Sequence, residues 1–153
     1  MYVVYEEIYM NSCKINNVEY IYTKELVFKL LKNDTYSVEL HNMTIEEIIV
    51  PETYEGKPVT KIDFFGFAGC TLLTNVEIPN SIKSISDGAF AYCPSLTSIY
   101  IPKSVTEIPI TYFYKCKQLA VYCEIKKSLF GYPKGYNKEW FEYVRKVKWN
   151  YKK

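Results

Sequence analysis

The sequence is poor in the residues that most enzymes use. It contains one histidine, His41, in a polar stretch between predicted strands, and nothing in the sequence brings a nucleophile near it. Ser-His-Asp and Cys-His catalysis require such a pair, and the carboxylates show no spaced pair suited to acid–base chemistry. We therefore expect a protein that is not an enzyme and that has no metal, cofactor or small-molecule substrate.

The sequence also has no long apolar run, and its first residues do not resemble a signal peptide. No run approaches the roughly 20 apolar residues that a membrane helix needs, and the start MYVVYEEIYM has no basic segment followed by a long apolar one. We do not expect a membrane partner. The lack of a signal peptide favours a cytoplasmic location.

Cysteine spacing argues against a disulfide framework and against a metal site. The five cysteines are an odd number, which fits a reducing compartment better than a small secreted domain. Zinc sites usually present paired ligands such as Cys-x2-Cys with histidine, whereas Cys70, Cys93 and Cys116 stand 23 residues apart. We predict that these three are packing residues, because a free cysteine behaves as a small buried hydrophobe.

The same 23-residue interval is an internal repeat that organises the chain. Val59, Ile82 and Val105 begin three aligned units, and periods of roughly 20 to 50 residues are typical of stacked solenoid units. We predict that apolar residues recurring in register form ladders inside the coil. They are Ile62, Ile85 and Ile108; Phe67, Phe90 and Phe113; Cys70, Cys93 and Cys116; and Leu73, Leu96 and Leu119.

Each unit contains one clear strand signal. In LTNVEIP and LTSIYIP apolar and polar residues alternate, as in a strand with one buried face. Pro79 and Pro102 end the strand, because proline cannot donate to a continuing ladder. IEEIIVP before these segments and LAVYCE after them add a first and a last rung. We predict a β-rich, right-handed solenoid of about four rungs with parallel strands stacked rung on rung.

We interpret residues 1–153 as one domain with three parts. Residues 1–44 are an N-terminal β cap, in which Asn33 and Asp34 mark the turn of a hairpin. Residues 45–123 are the repeat array, and residues 124–153 are an irregular aromatic and basic C-terminal cap with a closing strand in WFEYVRKVKW. Residues 23–30 are interpreted as strand; a helix remains an alternative, since periodicity cannot settle short apolar runs.

The repeat resembles the BspA-like leucine-rich repeats. Their unit reads approximately L-T-S-I-x-I-P-x-S-V-T-x-I-G-x-x-A-F-x-x-C, and SLTSIYIPKSVTEI, DGAFAYC and EGKPVTKI follow it closely within about residues 35 to 125. Asp63 and Pro109 depart from the usual Gly, and Gly66 and Tyr112 from the usual Ala. The resemblance implies a leucine-rich-repeat solenoid and protein–protein recognition, since relatives are mostly surface proteins that adhere to host or matrix proteins.

The outward side chains of the stacked strands are the predicted partner-binding surface. Repeat proteins bind through such concave faces, and tyrosine is enriched at binding hot spots. Exposed tyrosine also simply favours strands, so the pattern alone leaves a non-binding surface open. The predicted positions are Glu47, Ile49, Asn75, Glu77, Ser98, Tyr100 and Tyr122, with Ala120 in the same columns.

The charge of the chain is divided between its ends. Residues 1–59 hold 10 acidic and 5 basic side chains, whereas residues 124–153 hold 3 acidic and 9 basic ones. Copies could therefore assemble head to tail through oppositely charged caps, as a structural module. The basic tail could also bind a polyanion weakly, although we expect a protein partner before a nucleic acid.

Overall fold

Alternating apolar and polar residues produce short strands along most of the chain. The computed structural model describes residues 11–15, 18–106, 112–126 and 142–152, and within these ranges the chain is a β-solenoid of about four turns. The strands in these ranges are β1 (Asn11–Ile15), β2 (Val18–Tyr22), β3 (Leu26–Leu30), β4 (Tyr36–Leu40), β5 (Glu47–Ile49), β6 (Thr53–Tyr54), β7 (Lys57–Ile62), β8 (Asn75–Glu77), β9 (Ser84–Ile85), β10 (Ser98–Ile101), β11 (Ala120–Cys123) and β12 (Lys146–Lys148).

Five of these strands stack in parallel and form one face of the solenoid. Their order is β12-β11-β10-β8-β5. The register places Ser98 beside Asn75 on one side and beside Ala120 on the other. β8 and β10 end shortly before Pro79 and Pro102, as the missing N–H of proline requires. The parallel stack predicted from the repeat is confirmed.

The N-terminal part of the chain is an antiparallel meander of β1, β2, β3 and β4. β3 and β4 pair from Leu26 opposite Leu40 to Leu30 opposite Tyr36, so the hairpin prediction is confirmed and the alternative helix is wrong. Asp34 in the turn has a φ of 62°, a left-handed conformation that Asp tolerates. β4 then pairs in parallel with β7, and β7 with β9. The meander thus continues into a second sheet of the repeats.

A tight hairpin joins the repeats to this meander. β6 pairs with the start of β7, and the turn residues Glu55 and Gly56 have φ values of 47° and 76°. Two positive φ angles in succession are typical of a type I′ hairpin turn. The ring of Tyr54 stacks on the ring of Phe28, with centroids 3.9 Å apart, so the first repeat packs directly on the cap.

Apolar ladders fill the inside of the coil. The ring centroid of Phe90 lies 5.4 Å from that of Phe67 and 6.2 Å from that of Phe113, and all three side chains are fully buried. Ile108 lies outside the described residues. The other repeated apolar residues, buried to a similar degree, are Leu73, Leu96, Leu119, Cys70, Cys93, Cys116, Ile62 and Ile85.

The cysteine column forms hydrogen bonds between rungs as well as packing. The Sγ atom of Cys93 donates to the carbonyl of Phe67 at 3.0 Å, and that of Cys116 donates to the carbonyl of Phe90 at 3.0 Å. A thiol is only a weak donor, but buried carbonyls need a partner. Cys93 and Cys116 therefore each connect a rung to the one before it, whereas Cys70 donates to the carbonyl of Ala68 within its own rung.

Two departures from the repeat pattern are accommodated locally. A Cβ atom at Gly66 would lie 3.0 Å from the carbonyl oxygen of Asp63, so the tight first turn favours glycine over the usual alanine. Tyr112, at the equivalent position of the last full repeat, is buried, and its hydroxyl donates to the carbonyl of Ile85. Its polar atom is satisfied, so a large residue can replace alanine there.

The C-terminal chain returns to close the parallel sheet. β12 pairs with β11 with Val147 opposite Val121, and the partly buried side chain of Trp149 packs against the core. A parallel strand at this end covers the apolar residues of the last repeat. The described part of WFEYVRKVKW thus contains the closing strand.

We predict that Phe90→Ala lowers the free energy of unfolding by about 3 to 5 kcal/mol, because it leaves a cavity between two stacked rings. Urea unfolding followed by circular dichroism measures the loss. Phe64→Ala is the matched control: that side chain is 57% exposed, and we expect a change of about 1 kcal/mol or less. Equal losses for the two variants would contradict the importance of the ladder.

Candidate partner-binding groove

The outward side chains of the five-stranded sheet line a groove of about 580 Å³, the concave groove. Side chains alternate along a strand, so inward ladders in register also align the outward residues. The predicted binding residues that line this groove are Ile49, Asn75, Glu77, Ser98, Tyr100 and Tyr122. Glu47 is exposed but is not one of the lining residues. Ala120 lies in the same column, paired with Ser98 and Lys146, but its side chain is buried and it is not one of the lining residues.

Three tyrosines form a cluster at one end of the groove. The ring centroid of Tyr151 lies 6.1 Å from that of Tyr100 and 4.7 Å from that of Tyr122. The Nζ atom of Lys148 lies 5.9 Å from the centroid of Tyr122, within cation–π range. The backbone N–H of Tyr151 donates to the carbonyl of Cys123 at 3.0 Å, which holds the residue against the last repeat. Tyr151 follows the end of the 23-residue register, so the repeat could not predict it.

A carboxylate anchors the tyrosine cluster from outside the sheet. Glu124 Oε2 accepts the backbone N–H of Lys103 at 3.0 Å, and Oε1 lies 3.7 Å from the Lys103 Nζ. The backbone N–H of Lys103 holds the pKa of Glu124 below its ordinary value, with help from the hydroxyl of Tyr100 and the charge of Lys103. Burial and the nearby Glu124 raise the pKa of Tyr100. The hydroxyl of Tyr100 donates a hydrogen bond to the carboxylate of Glu124.

Charge changes sign along the groove. Glu52 and Glu77 lie on the wall formed by the first repeats and are exposed, whereas Lys148 lies at the tyrosine end. The described basic residues of the C-terminal segment are all exposed: Lys126, Arg145, Lys146, Lys148 and Lys152. The groove therefore has carboxylates at one end and the ammonium group of Lys148 at the other.

The cysteines are poor candidates for chemistry. Burial raises the pKa of Cys116 and of Cys123 to about 12 each, and the hydrogen bond with Cys70, together with burial, raises that of Cys93. The same hydrogen bond lowers the pKa of Cys70, but the side chain of Cys70 is fully buried. A thiol held protonated is a weak nucleophile and a weak metal ligand. In the described ranges, no group of three or more His, Cys, Asp or Glu side chains is placed to hold a metal. His41 is exposed after β4 and does not line the groove.

Parallel strands stacked rung on rung, with leucine, phenylalanine and cysteine ladders inside, define a leucine-rich-repeat solenoid. The sequence profile of the BspA type leucine rich repeat region matches residues 36–129, with six copies of its unit. The chain belongs to this BspA-type leucine-rich-repeat family. Proteins of this class are repeat proteins that are often used for protein binding.

One solved structure shares the fold at low sequence identity, and another aligns with the chain at a lower TM-score. A leucine rich cell surface protein from Faecalibacterium prausnitzii superposes with a TM-score of 0.52 at 18% identity, over 93% of this chain and 40% of that one. A leucine rich repeat protein from T. pallidum gives a TM-score of 0.43 at 18% identity, over 84% of this chain and 80% of that one. The chain thus spans less than half the length of the F. prausnitzii protein. No curated protein sequence matches it. Within the described ranges, no helix is long and apolar enough to cross a membrane.

We predict that native thiols are protected from reagents. In a Cys13→Ser variant the four remaining cysteines, Cys70, Cys93, Cys116 and Cys123, are free and buried. A thiol-specific chromogenic reagent at mildly alkaline pH should therefore find no fast-reacting group in the folded protein and all four after denaturation. A rapid reaction in the native state would show that one of these thiols is accessible and ionised.

We predict a pH-dependent contribution from Glu124. Its pKa in the folded protein lies below the ordinary 4.5, so its stabilising effect is present above that pH and is lost as pH falls through the folded value. The difference in Tm between the wild type and Glu124→Gln should be largest near neutral pH and should close in acid. Glu142→Gln, an exposed carboxylate of the C-terminal segment, is the control. A pH-independent difference would contradict the ionic role of Glu124.

Proposed function

We propose that this protein is a recognition module and that its concave groove binds an extended segment of a partner protein. The observation that carries the proposal is the alignment of six predicted residues in one groove, where Tyr100 and Tyr122 meet Tyr151. Tyrosine offers a large, rigid contact area with a polar end at little entropic cost. The F. prausnitzii neighbour is a cell surface protein, and adhesion is the setting we infer for this recognition.

The arrangement of the groove favours a particular kind of segment. The tyrosine cluster offers ring faces and edges for apolar or prolyl side chains, as aromatic-lined grooves do for extended peptides. Glu52 and Glu77 on the opposite wall suit a basic side chain. Asn75 pairs with Ser98, and each lies two residues before Glu77 or Tyr100 on the same strand. Both line the groove and can exchange hydrogen bonds with a peptide backbone. The proposed ligand is an extended segment with a basic residue toward β8 and an apolar one toward β11.

A displayed library of random peptides, selected against the immobilised protein, tests this proposal. We expect enriched sequences that combine a basic residue with prolyl or aromatic residues. Tyr122→Ala should weaken the selected peptides about tenfold or more, because removal of a hot-spot tyrosine typically costs about 2 kcal/mol. Glu77→Lys should lose the preference for a basic residue. Isothermal calorimetry or fluorescence anisotropy measures the affinities.

Tyr92→Ala is the matched control, since Tyr92 is an exposed tyrosine that lies on the outer turns and does not line the groove. It should leave the affinity unchanged, and circular dichroism should show each variant folded. Peptides that bind Tyr122→Ala as well as the wild type but lose affinity for Tyr92→Ala would place recognition on the outer turns. Enrichment of purely acidic sequences would favour polyanion binding through the basic C-terminal segment instead.

A further inference from the structure

The inward side chains at both ends of the five-stranded parallel sheet are less buried than those in its middle. Along the inward column the middle residues Val76, Ile99 and Val121 are 2%, 2% and 1% exposed. Ile48 on β5 and Val147 on β12, the first and last residues of that column, are only partly buried. Each terminal residue has a stacked neighbour on one side alone, because β5 pairs with β8 and β12 with β11 at the ends of the strand order. Among the described strands, this inward column therefore ends at Ile48 on one side and at Val147 on the other.

Both terminal strands also present a sheet edge. An edge strand carries a row of N–H and C=O groups that its own sheet does not use, which is a template for pairing with another chain. Among the described strands, β5 and β12 are the edges of this sheet. The edges lie at opposite ends of the five-stranded sheet and the two strands run in the same direction, so β12 of one copy can add to β5 of another as a further parallel strand. On the second sheet the position beside β7 is already filled by β4, so the contact extends the five-stranded sheet alone.

The charges beside the two edges are opposite. Glu46 and Glu47 are exposed at the start of β5, and Arg145 and Lys146 are exposed at the start of β12. Lysine on an edge strand ordinarily discourages pairing with a neutral or basic edge. Against an acidic edge the same lysine is attractive, since opposite charges directly across a strand pair are stabilising.

We propose that copies of this chain stack head to tail, with β5 of one copy pairing in parallel with β12 of the next. The register that relates β5 to β8 and β12 to β11, carried one rung further, places Glu47 opposite Lys146 and Ile48 opposite Val147. The acidic edge meets the basic one and the interrupted inward column becomes continuous. This contact is heterologous, so it adds copies one after another instead of closing a symmetric dimer. It uses the edges, so the groove residues on the central strands β8, β10 and β11 stay open, while Ile49 on β5 lies beside the contact.

Charge reversal tests the proposed register. The wild type should show a weight-average mass that rises with concentration in sedimentation equilibrium at low salt and falls when salt is added, because the charge pairs are solvent exposed. Glu47→Lys and Lys146→Glu should each weaken association about tenfold, since each places like charges opposite one another. The double variant Glu47→Lys/Lys146→Glu restores opposite charges at the contact and should associate like the wild type.

Lys117→Glu, an exposed lysine on the outer turns with the same charge change as Lys146→Glu, is the control and should associate normally. Circular dichroism and urea unfolding establish that each variant is folded. A wild type that stays monomeric at high concentration and low salt would overturn the proposal. So would single variants that associate like the wild type, or a folded double variant that remains as weak as the single ones. Because these substitutions avoid the groove, failure here would leave peptide binding untouched.

Discussion

Each rung of this solenoid depends on the next rung to bury its apolar side chains. Phe90 lies between the rings of Phe67 and Phe113, and the thiol of Cys116 donates to the carbonyl of Phe90. A single rung has neither partner, so its ladder residues would remain in water. Stability therefore comes from stacking, at about 25 cal/mol per Å² of apolar surface removed from water, and it is lowest at the ends of the array.

The same stacking produces the groove. Val76, Ile99 and Val121 repeat the inward pattern closely, whereas the outward residues beside them differ from rung to rung: Glu77, Tyr100 and Tyr122. Inward residues must match their neighbours, because the interior is close-packed. Outward residues are free to vary, and the backbone register still aligns them. A surface with acidic, polar and aromatic parts can therefore be assembled on a repetitive scaffold without altering the core.

The two caps cover the ends of the repeat array in different ways. At the start of the chain, β4 of the antiparallel meander pairs with β7, and the ring of Tyr54 in the first repeat stacks on the ring of Phe28 in the meander. At the end, β12 adds a parallel strand and Tyr151 extends the aromatic surface of the groove. Within the described ranges, neither cap adds another strand to the five-stranded sheet on the outer side of β5 or of β12. The proposed head-to-tail contact follows from that common feature.

The period, the inward ladders, the parallel strands and the β3–β4 hairpin can all be predicted from the amino-acid sequence. These features rest on local alternation and on a repeated register, in which one unit predicts the surroundings of the next. Three features are visible only in the folded protein: the burial of Ala120, the pairing of β4 with the second sheet, and the contact of Tyr151 with Tyr122. Those contacts join the repeat array to nonrepetitive caps, and no register relates the two. The geometry of these contacts depends on the three-dimensional path of the caps. The spacing of residues along the sequence does not encode that path.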